Sequence, residues 1–390
     1  MPGFFKKIMW PYYAVTFLIF TLVFLWGITG VFWGGGAGYQ GVSFKALLPG
    51  AALLGAVILG IKNAHAKCIY PIFCGMLAGV IFHLVFGEPI FSRAAAASFF
   101  LPLLSALIGL GLGVLIRTSR RMRQIARGIV ILGVLIALVH VGHAATLDRI
   151  IKYTEVSFSA PNLPPEMDGY RIAFITDTHE ISRERLNAVV DELNRRGVDL
   201  LLLGGDFARS AARVRQTVEI LAQVQAADGI FGVEGNHDDY VFLFALMEAN
   251  GMVPLSNSGL HIRENFFLAG VEDYWNRSPN IALALQEAQP DDFVLLVSHN
   301  PDISMRQDTS AVCLILSGHT HGGQIAFFGI WAPYFTITRH LTAYGQRFRS
   351  GWAQSRDGTP VFVSRGTGEY MPRVFARPEV ILMTLHSHAP

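Results

Sequence analysis

The amino-acid sequence predicts two fold classes in one chain: an N-terminal all-α transmembrane bundle followed by a C-terminal α/β domain. The 390 residues are 52% hydrophobic and only 15% charged, which indicates a membrane-embedded part. Glu88 is the only acidic residue before Asp148, whereas acidic residues are frequent from Asp148 onward. After residue 150, short β-like runs alternate with helical patterns, as in α/β domains. The sequence therefore divides into residues 1–150, a connector at 151–168 and a second domain at 169–390.

The transmembrane prediction rests on five apolar runs, each near the roughly 20 residues that a helix needs to cross a bilayer. They lie at residues 12–33, 44–61, 68–86, 98–116 and 128–147. The second run is the weakest, because residues 46–61 form a short stretch that includes Pro49 and three glycines. A cleaved signal peptide explains only the first run, so a permanent multi-pass anchor is expected. If the second run does not cross, the topology inverts.

The predicted orientation follows from the positive charges, which favour the cytoplasmic side of a membrane. They cluster before the first run and in the loops after the second and fourth runs, and they are Lys6, Lys7, Lys62, Lys67, Arg117, Arg120, Arg121, Arg123 and Arg127. The intervening segments carry only Lys45 and Arg93. Five spans then place the second domain on the extracytoplasmic side of an inner or plasma membrane.

Charge and cysteine content argue against two other classes of protein. The net charge of +2 gives no reason to expect a nucleic-acid partner held by a basic surface. Of the three cysteines, Cys68 and Cys74 lie in an apolar run, which leaves Cys313 alone in the second domain. A disulfide framework within that domain is therefore excluded.

The second domain has predicted strands at residues 171–176, 199–203, 230–233, 266–269, 293–297, 313–316, 361–364 and 380–385. Helices are predicted at 183–196, 212–226 and 241–250. Ligands of α/β sheets bind beyond the carboxyl ends of strands, and five polar clusters occur where these strands end. The clusters are D-T-H at 177–179, G-G-D at 204–206, G-N-H-D at 235–238, S-H-N-P-D at 298–302 and G-H-T-H-G-G at 318–323.

Each cluster alone has a structural explanation, since Asp often caps a helix and Gly-Gly relieves a tight bend. Together they place four histidines, two aspartates and one asparagine in loops after apolar strands. Imidazole, carboxylate and amide groups without a thiolate suit Mn, Fe, Zn, Ni or Co rather than a Cys-rich structural zinc site. The joint pattern therefore predicts a metal site.

The series D-x-H, G-D, G-N-H-D, S-H-N-P-D and G-H-T-H-G-G-Q resembles the calcineurin-like metallophosphoesterase family over about residues 169–385. Within that family it is most similar to bacterial membrane-associated members, some of which hydrolyse phosphodiester or pyrophosphate bonds of lipids. The fold that this implies is a β-sandwich flanked by helices. The implied cofactor is a pair of divalent metal ions, with Mn favoured and Fe, Zn, Ni, Co or Mg as alternatives.

The resemblance also implies a role for each position that matches the family's ligands. The matching residues are Asp177, His179 and His321 for the first metal, Asn236, His299 and His319 for the second, and Asp206 as the bridge between them.

Two metal ions held close together would supply a metal-activated hydroxide and clamp the oxygens of an in-line phosphoryl displacement. His237 resembles the family's non-ligand histidine and is expected to protonate the leaving group, with Asp238 orienting its imidazole. Arg209 stands where the family often has an acid or Asn. It is interpreted either as a surface arginine or as a phosphate clamp, for which guanidinium geometry is well suited.

The predicted function is that of a membrane-anchored two-metal phosphohydrolase acting on a phosphoester or pyrophosphate bond, with a lipid-linked substrate at the extracytoplasmic face. One alternative is a cytoplasmic-facing enzyme similar to UDP-2,3-diacylglucosamine diphosphatases, against which the positive charges argue. A second is a non-catalytic transporter or scaffold with a metal-binding module, which the complete ligand set disfavours. In a third, the membrane serves only as an anchor and the substrate is a soluble small molecule.

Several apolar residues lie close in sequence to the predicted site. They either receive acyl chains, dip into the membrane interface or pack in the core. These residues are Phe207, Phe327, Phe328, Trp331 and Tyr334.

Overall fold

The structure, a computed structural model, describes residues 135–136, 139–140, 142–332, 334–337, 341–368 and 373–387. The chain forms two compact units, residues 1–141 and residues 142–390. The first four predicted spans and the start of the fifth lie outside the described residues. Among the residues that are described, no helix combines the length and the apolar character needed to cross a bilayer.

The described part of the second unit contains strands and helices in alternation, which confirms the predicted α/β class. Its strands are β1 (Lys152–Ala160), β2 (Arg171–Ile175), β3 (Leu200–Leu203), β4 (Ile230–Gly232), β5 (Val253–Pro254), β6 (Ser258–Arg263), β7 (Phe266–Gly270), β8 (Phe293–Val297), β9 (Leu314–Ser317), β10 (Gly351–Gln354), β11 (Pro360–Val363) and β12 (Glu379–Ser387). Its helices are α1 (Arg183–Arg196), α2 (Ala211–Leu221), α3 (Tyr240–Ala249), α4 (Ile281–Ala284) and α5 (Tyr334–Ile337).

The strands form two six-stranded mixed sheets, ordered β1-β12-β2-β3-β4-β5 and β10-β11-β9-β8-β7-β6. Strands β2 to β5 run parallel, and so do β7, β8, β9 and β11. The sheets share one buried cluster in which Phe174 and Leu202 of the first pack with Phe266 and Leu295 of the second. Burial of each such side chain stabilises the fold by roughly 1.5–3 kcal/mol. The two sheets therefore pack face to face as a sandwich.

Helices α1, α2 and α3 cover the outer face of the first sheet, where each of them buries apolar side chains. In α1, Leu186, Val190 and Leu193 recur at helical spacing and are buried. Ser182 caps the N-terminus of α1, and Gly197 ends the helix with a φ of 65°. Helices α2 and α3 contribute to the same buried cluster.

Half of residues 151–168, the segment predicted as a connector, forms strand β1. This strand pairs in parallel with β12 from Lys152↔Glu379 to Ala160↔Ser387. The physical reason is an alternating pattern in which Val156, Phe158 and Ala160 are more buried than their neighbours. This segment is therefore an edge of the first sheet.

Candidate metal centre

Loops that follow strands of both sheets meet at one edge of the sandwich. The loops after β2 and β3 are joined by the amide of Asp177, which donates to Gly205 O at 2.9 Å. The loops after β8 and β9 are joined by the amide of Gly318, which donates to His299 O at 3.0 Å. The amide of His319 donates across the sheets to Asp177 Oδ2 at 3.0 Å. The predicted ligands are thus brought together as expected for the carboxyl ends of parallel strands.

A first group of ligand atoms is formed by Asp177, His179, Asp206 and His321, all of them buried. His321 Nε2 lies 3.1 Å from Asp177 Oδ1 and 3.1 Å from His179 Nε2. His179 Nε2 in turn lies 3.5 Å from Asp206 Oδ2. Four lone-pair atoms therefore surround one point.

A second group, which shares the carboxylate of Asp206 with the first, is formed by Asp206, Asn236, His299 and His319. His299 Nε2 lies 3.4 Å from Asp206 Oδ2, 3.2 Å from Asn236 Oδ1 and 3.2 Å from His319 Nδ1. Because Asp206 Oδ2 adjoins both groups, its carboxylate has the position of a bridging ligand.

Both groups fit a metal ion. Metal–nitrogen and metal–oxygen bonds of about 2.0–2.2 Å separate neighbouring ligand atoms by about 3.0–3.6 Å. The separations in both groups, 3.1–3.5 Å, agree with that spacing. First-row divalent metals suit this set of imidazole, carboxylate and amide donors.

Two of the buried ligand histidines, His179 and His319, are held in the neutral state that metal ligation requires. Burial lowers the pKa of His179 to about 3 and that of His319 to about 3, which keeps both imidazoles neutral. Burial alone would raise the pKa of Asp206, but His299 and His179 hold it well below its usual range. Burial likewise would lower the pKa of His299, but Asp206 and Asp177 raise it well above its usual range. The cluster therefore favours positive charge, which a divalent cation supplies.

Two ligand histidines are oriented by partners on the far side of the ring. His299 Nδ1 lies 2.7 Å from Gly204 O, so it donates there and leaves Nε2 for a metal. His321 Nδ1 lies 2.8 Å from the side-chain amide of Gln324, whose Oε1 is buried without a hydrogen-bond partner. A 180° turn of this amide lets Oε1 accept from Nδ1–H, which leaves Nε2 of His321 for a metal.

The backbone of the ligand loops is unusual, because it has positive φ angles at residues other than glycine, which rarely adopt them. Such angles occur at Asp177 (53°), His179 (38°), Asp206 (56°), His319 (67°) and His321 (50°). Concentration of this strain at the ligands is typical of a functional site that the surrounding fold holds in place.

A glycine in one of these loops is required by close packing. A Cβ atom on Gly235 would lie 2.3 Å from Asp206 Oδ1, so any larger residue would displace the bridging carboxylate.

The three other predicted site residues lie at or near this centre. His237 is exposed, its ring lies 5.6 Å from that of His179, and its amide donates to Asp206 Oδ1 at 2.8 Å. Arg209 is exposed on the loop between β3 and α2, and both interpretations of it stay open.

Asp238, which is predicted to orient His237, also contacts the main chain. Its carboxylate accepts hydrogen bonds from three main-chain amides, those of Asp206 at 2.7 Å, Phe207 at 2.9 Å and Gly235 at 2.9 Å. Asp238 therefore ties the loop of the bridging aspartate to the G-N-H-D loop.

Sequence reasoning missed a loop after β7 that lines the second ligand group. Trp275 is 40% exposed, and its ring meets that of His319 edge-on at 4.4 Å. Asp273 Oδ2 accepts from the amides of Trp275 and Asn276, and Asn276 Nδ2 donates to Asn236 O at 2.6 Å. The signal was present, because V-E-D-Y-W-N follows a predicted apolar strand as the other clusters do.

Two groups of ligands that share one carboxylate, at the strand ends of an α/β sandwich, define a candidate dinuclear metal site. A family model described as calcineurin-like phosphoesterase matches residues 170–323. The chain carries a domain of that family, as the resemblance predicted.

Relatives of the chain come from bacteria and animals. A Helicobacter pylori protein named "Uncharacterized metallophosphoesterase" is 28% identical over 225 residues, which cover 54% of this chain and 58% of the relative. A Bos taurus "Transmembrane protein with metallophosphoesterase domain" is 30% identical over 262 residues, 60% of this chain and 57% of the relative. The Bacillus subtilis "Uncharacterized metallophosphoesterase YkuE" is 29% identical over 265 residues, 63% of this chain and 90% of the relative. The chain thus spans less than two thirds of the first two relatives.

Proposed function

We propose that the protein is a membrane-anchored phosphohydrolase that uses two divalent metal ions, with Mn favoured, to cleave a phosphoester or pyrophosphate bond. The observation that carries this proposal is the Asp206 carboxylate, whose Oδ2 lies 3.5 Å from His179 Nε2 and 3.4 Å from His299 Nε2. Two metal ions held by these residues would supply a metal-activated hydroxide and would clamp the oxygens of an in-line displacement.

The chain's own residues account for the remaining steps. His237 is exposed beside His179, which suits a proton donor to the leaving oxygen of a substrate held at the centre. Asp238 fixes the loop that carries Asp206, because three amides converge on its carboxylate. Trp275 forms an apolar wall beside His319 against which part of a substrate can pack.

The direct test uses the full-length chain in detergent and bis-p-nitrophenyl phosphate as substrate. The wild type with added Mn should release p-nitrophenol, whereas Asp206→Asn should lose bound metal from both groups and almost all turnover. Asp308→Asn, the same substitution at an exposed loop residue, is the matched control and should behave as wild type. Wild-type activity that survives complete metal removal, or that Asp206→Asn retains, would contradict the proposal.

The extracytoplasmic site and the lipid-linked substrate are further parts of the proposal. They are supported by the five apolar runs, by the placement of lysine and arginine between them, and by the bovine relative, which is named a transmembrane protein. A reporter enzyme fused after residue 390 should be active only outside the cytoplasm. Activity only inside would favour the cytoplasmic-facing alternative.

Lipid profiling of a strain that lacks the gene tests the substrate class. An accumulated phospholipid or phosphorylated glycolipid would support a lipid-linked substrate. An unchanged lipid profile together with an accumulated soluble phosphoester would favour the alternative in which the membrane is only an anchor.

A further inference from the structure

Four large apolar side chains lie exposed on one tight turn, residues 327–331, which we call the apolar turn. Their exposed fractions are 42% for Phe327, 38% for Phe328, 78% for Ile330 and 43% for Trp331. Phe207, in contrast, is buried in the core. A concentration of exposed aromatic and aliphatic groups on a soluble surface usually marks a binding surface.

The backbone of the apolar turn is closed and strained. Phe327 N donates to Trp331 O at 2.6 Å and Ile330 N donates to Phe327 O at 3.0 Å. The two central residues have positive φ, 49° at Phe328 and 71° at Gly329. Asn-Gly is the favoured pair in turns of this kind, whereas a bulky residue is strongly disfavoured at the first position. Phe328 therefore adds apolar surface where the backbone alone would favour Asn.

The apolar turn lies beside the residues through which the chain enters the second unit. The ring of Phe328 lies 5.6 Å from that of Phe375, which stacks on His143 at 3.9 Å. Asp148 contacts both of these residues, because its Oδ2 lies 2.7 Å from His143 Nδ1 and 2.9 Å from the amide of Phe375. His143 falls within residues 128–147, the last of the five apolar runs.

Charge at this end of the domain suits the headgroups of a bilayer. Arg149 and Lys152 are exposed, and Arg377 is held nearby by donating from Nε to Ile150 O at 2.7 Å. The acidic groups described beside them, Asp148 and Glu379, are both buried. Basic side chains beside an apolar surface favour anionic lipid.

A short segment connects the apolar turn to the metal centre. His321 and Trp331 are ten positions apart, and the amide of Ala326 donates to Val374 O at 2.8 Å. A Cβ atom on Gly323 would lie 2.4 Å from Ala332 Cβ, so the two ends of the segment pack closely. The position of the apolar turn therefore determines where the metal centre lies relative to anything that binds the turn.

We propose that the apolar turn inserts into the lipid bilayer surface, anchored there beside residues 142–147, and presents the metal centre to phosphoesters carried by that membrane. The occupant of the apolar turn is an anionic bilayer. The substrate part of this inference rests on the proposed phosphohydrolase function, whereas the insertion itself does not.

Insertion is tested by spin-label accessibility in the full-length chain, reconstituted in bilayers of phosphatidylcholine and phosphatidylglycerol. The label is placed at Ile330→Cys after the three native cysteines are replaced by alanine. Leu283→Cys, a matched aliphatic position that is 50% exposed on α4, serves as the control. The label at 330 should be relaxed by membrane-dissolved oxygen and the label at 283 by a water-soluble nickel chelate.

Two outcomes of this experiment would overturn the proposal. Relaxation of the label at 330 mainly by the nickel chelate would mean that the apolar turn stays in water. Protection from both relaxants would mean that protein covers it, either another part of this chain or a second copy.

The substrate part is tested with Phe328→Asn, which suits the backbone of the turn and should not lower the melting temperature. Two probes with the same leaving group are compared, soluble bis-p-nitrophenyl phosphate and the p-nitrophenyl diester of a diacylglycerol phosphate in bilayers. Hydrolysis of the lipid diester should fall by about tenfold, the factor expected when one large apolar side chain no longer leaves water. Hydrolysis of the soluble diester should be unchanged.

The outcomes separate this inference from the proposed function. Equal hydrolysis of the lipid diester by wild type and Phe328→Asn would overturn the inference while the phosphohydrolase function stands. Failure of the wild type to hydrolyse either probe would overturn the proposed function, and with it the substrate part of the inference. In both cases the spin-label result determines independently whether the apolar turn inserts into the bilayer.

Discussion

The two ligand groups that share Asp206 differ in how the fold holds them. Asp177, His179 and His321 are at most 5% exposed, and all three have positive φ. In the second group only His319 has positive φ besides the shared Asp206, while Asn236 is half-buried and lies near the exposed Trp275 loop. The first group is therefore the more enclosed and more rigidly determined, and the second is the one open to substrate.

The largest effect should come from removing a ligand of each group in turn. We expect His321→Ala to empty the first group and to lower turnover by on the order of 10³-fold or more, because both metals take part in the displacement. Asn236→Ala removes a neutral ligand at the open side, so it should weaken metal binding at the second group and leave the first occupied. Metal content after dialysis, followed by Mn titration of activity, measures both. Equal metal loss in the two variants would mean that the two ligand groups do not differ in how firmly they hold a metal.

The next largest effect should separate chemistry from metal binding. His237→Ala should retain both metals and lose roughly 10²–10⁴-fold in turnover of substrates with poor leaving groups, the range for general acid catalysis. The loss should be smaller for p-nitrophenyl esters, because their leaving group needs little protonation. His386→Ala, which removes an exposed imidazole on β12, is the control. A uniform loss across leaving groups would argue against a proton donor.

A smaller effect should follow from replacing Gln324, the hydrogen-bond partner of His321. Gln324→Ala should lower the metal affinity of the first group by about 10–100-fold, as expected for loss of a residue that orients a ligating imidazole. Gln324→Glu keeps an oxygen acceptor for Nδ1–H and should retain the affinity. Calorimetric titration with Mn gives both values, and a loss in Gln324→Glu as large as in Gln324→Ala would mean that the oxygen acceptor is not what matters.

The smallest effect should appear at the open side of the second group. Trp275→Ala should raise KM for aromatic diesters by about threefold to tenfold, the range for one aromatic contact, with metal content unchanged. Trp275→Phe should keep most of the affinity. If KM is unchanged in the alanine variant while kcat falls, Trp275 supports His319 instead of contacting substrate.

The strands that sequence reasoning identified and those that it missed occupy different places in the sheets. The eight predicted strands are all present, and each is flanked by two others. The four missed strands, β1, β5, β6 and β10, are the four edges of the two sheets. Central strands are covered on both sides and therefore read as continuous apolar runs, whereas edge strands are partly exposed, short or polar. Their pairing depends on tertiary contacts that a local pattern does not show.

The candidate metal centre likewise has features that the sequence predicted and features that it did not. Strand-end position and side-chain chemistry were enough to name the ligands that meet around Asp206. The same reasoning did not reveal that the carboxylate of Asp238 accepts from three main-chain amides, because main-chain donors leave no trace in residue identity. Phe327, Phe328 and Trp331 of the apolar turn were among the apolar residues named near the site, but their exposure became evident only from the fold.

Strand β12 has a consequence for the order in which the second unit can form during synthesis. It lies between β1 and β2 in the first sheet, although it is more than 200 residues later in the chain. Until the ribosome has released residues 379–387, the first sheet lacks the strand that joins β1 to the others. We therefore expect the metal-ligand loops to reach their final positions only after translation of this strand.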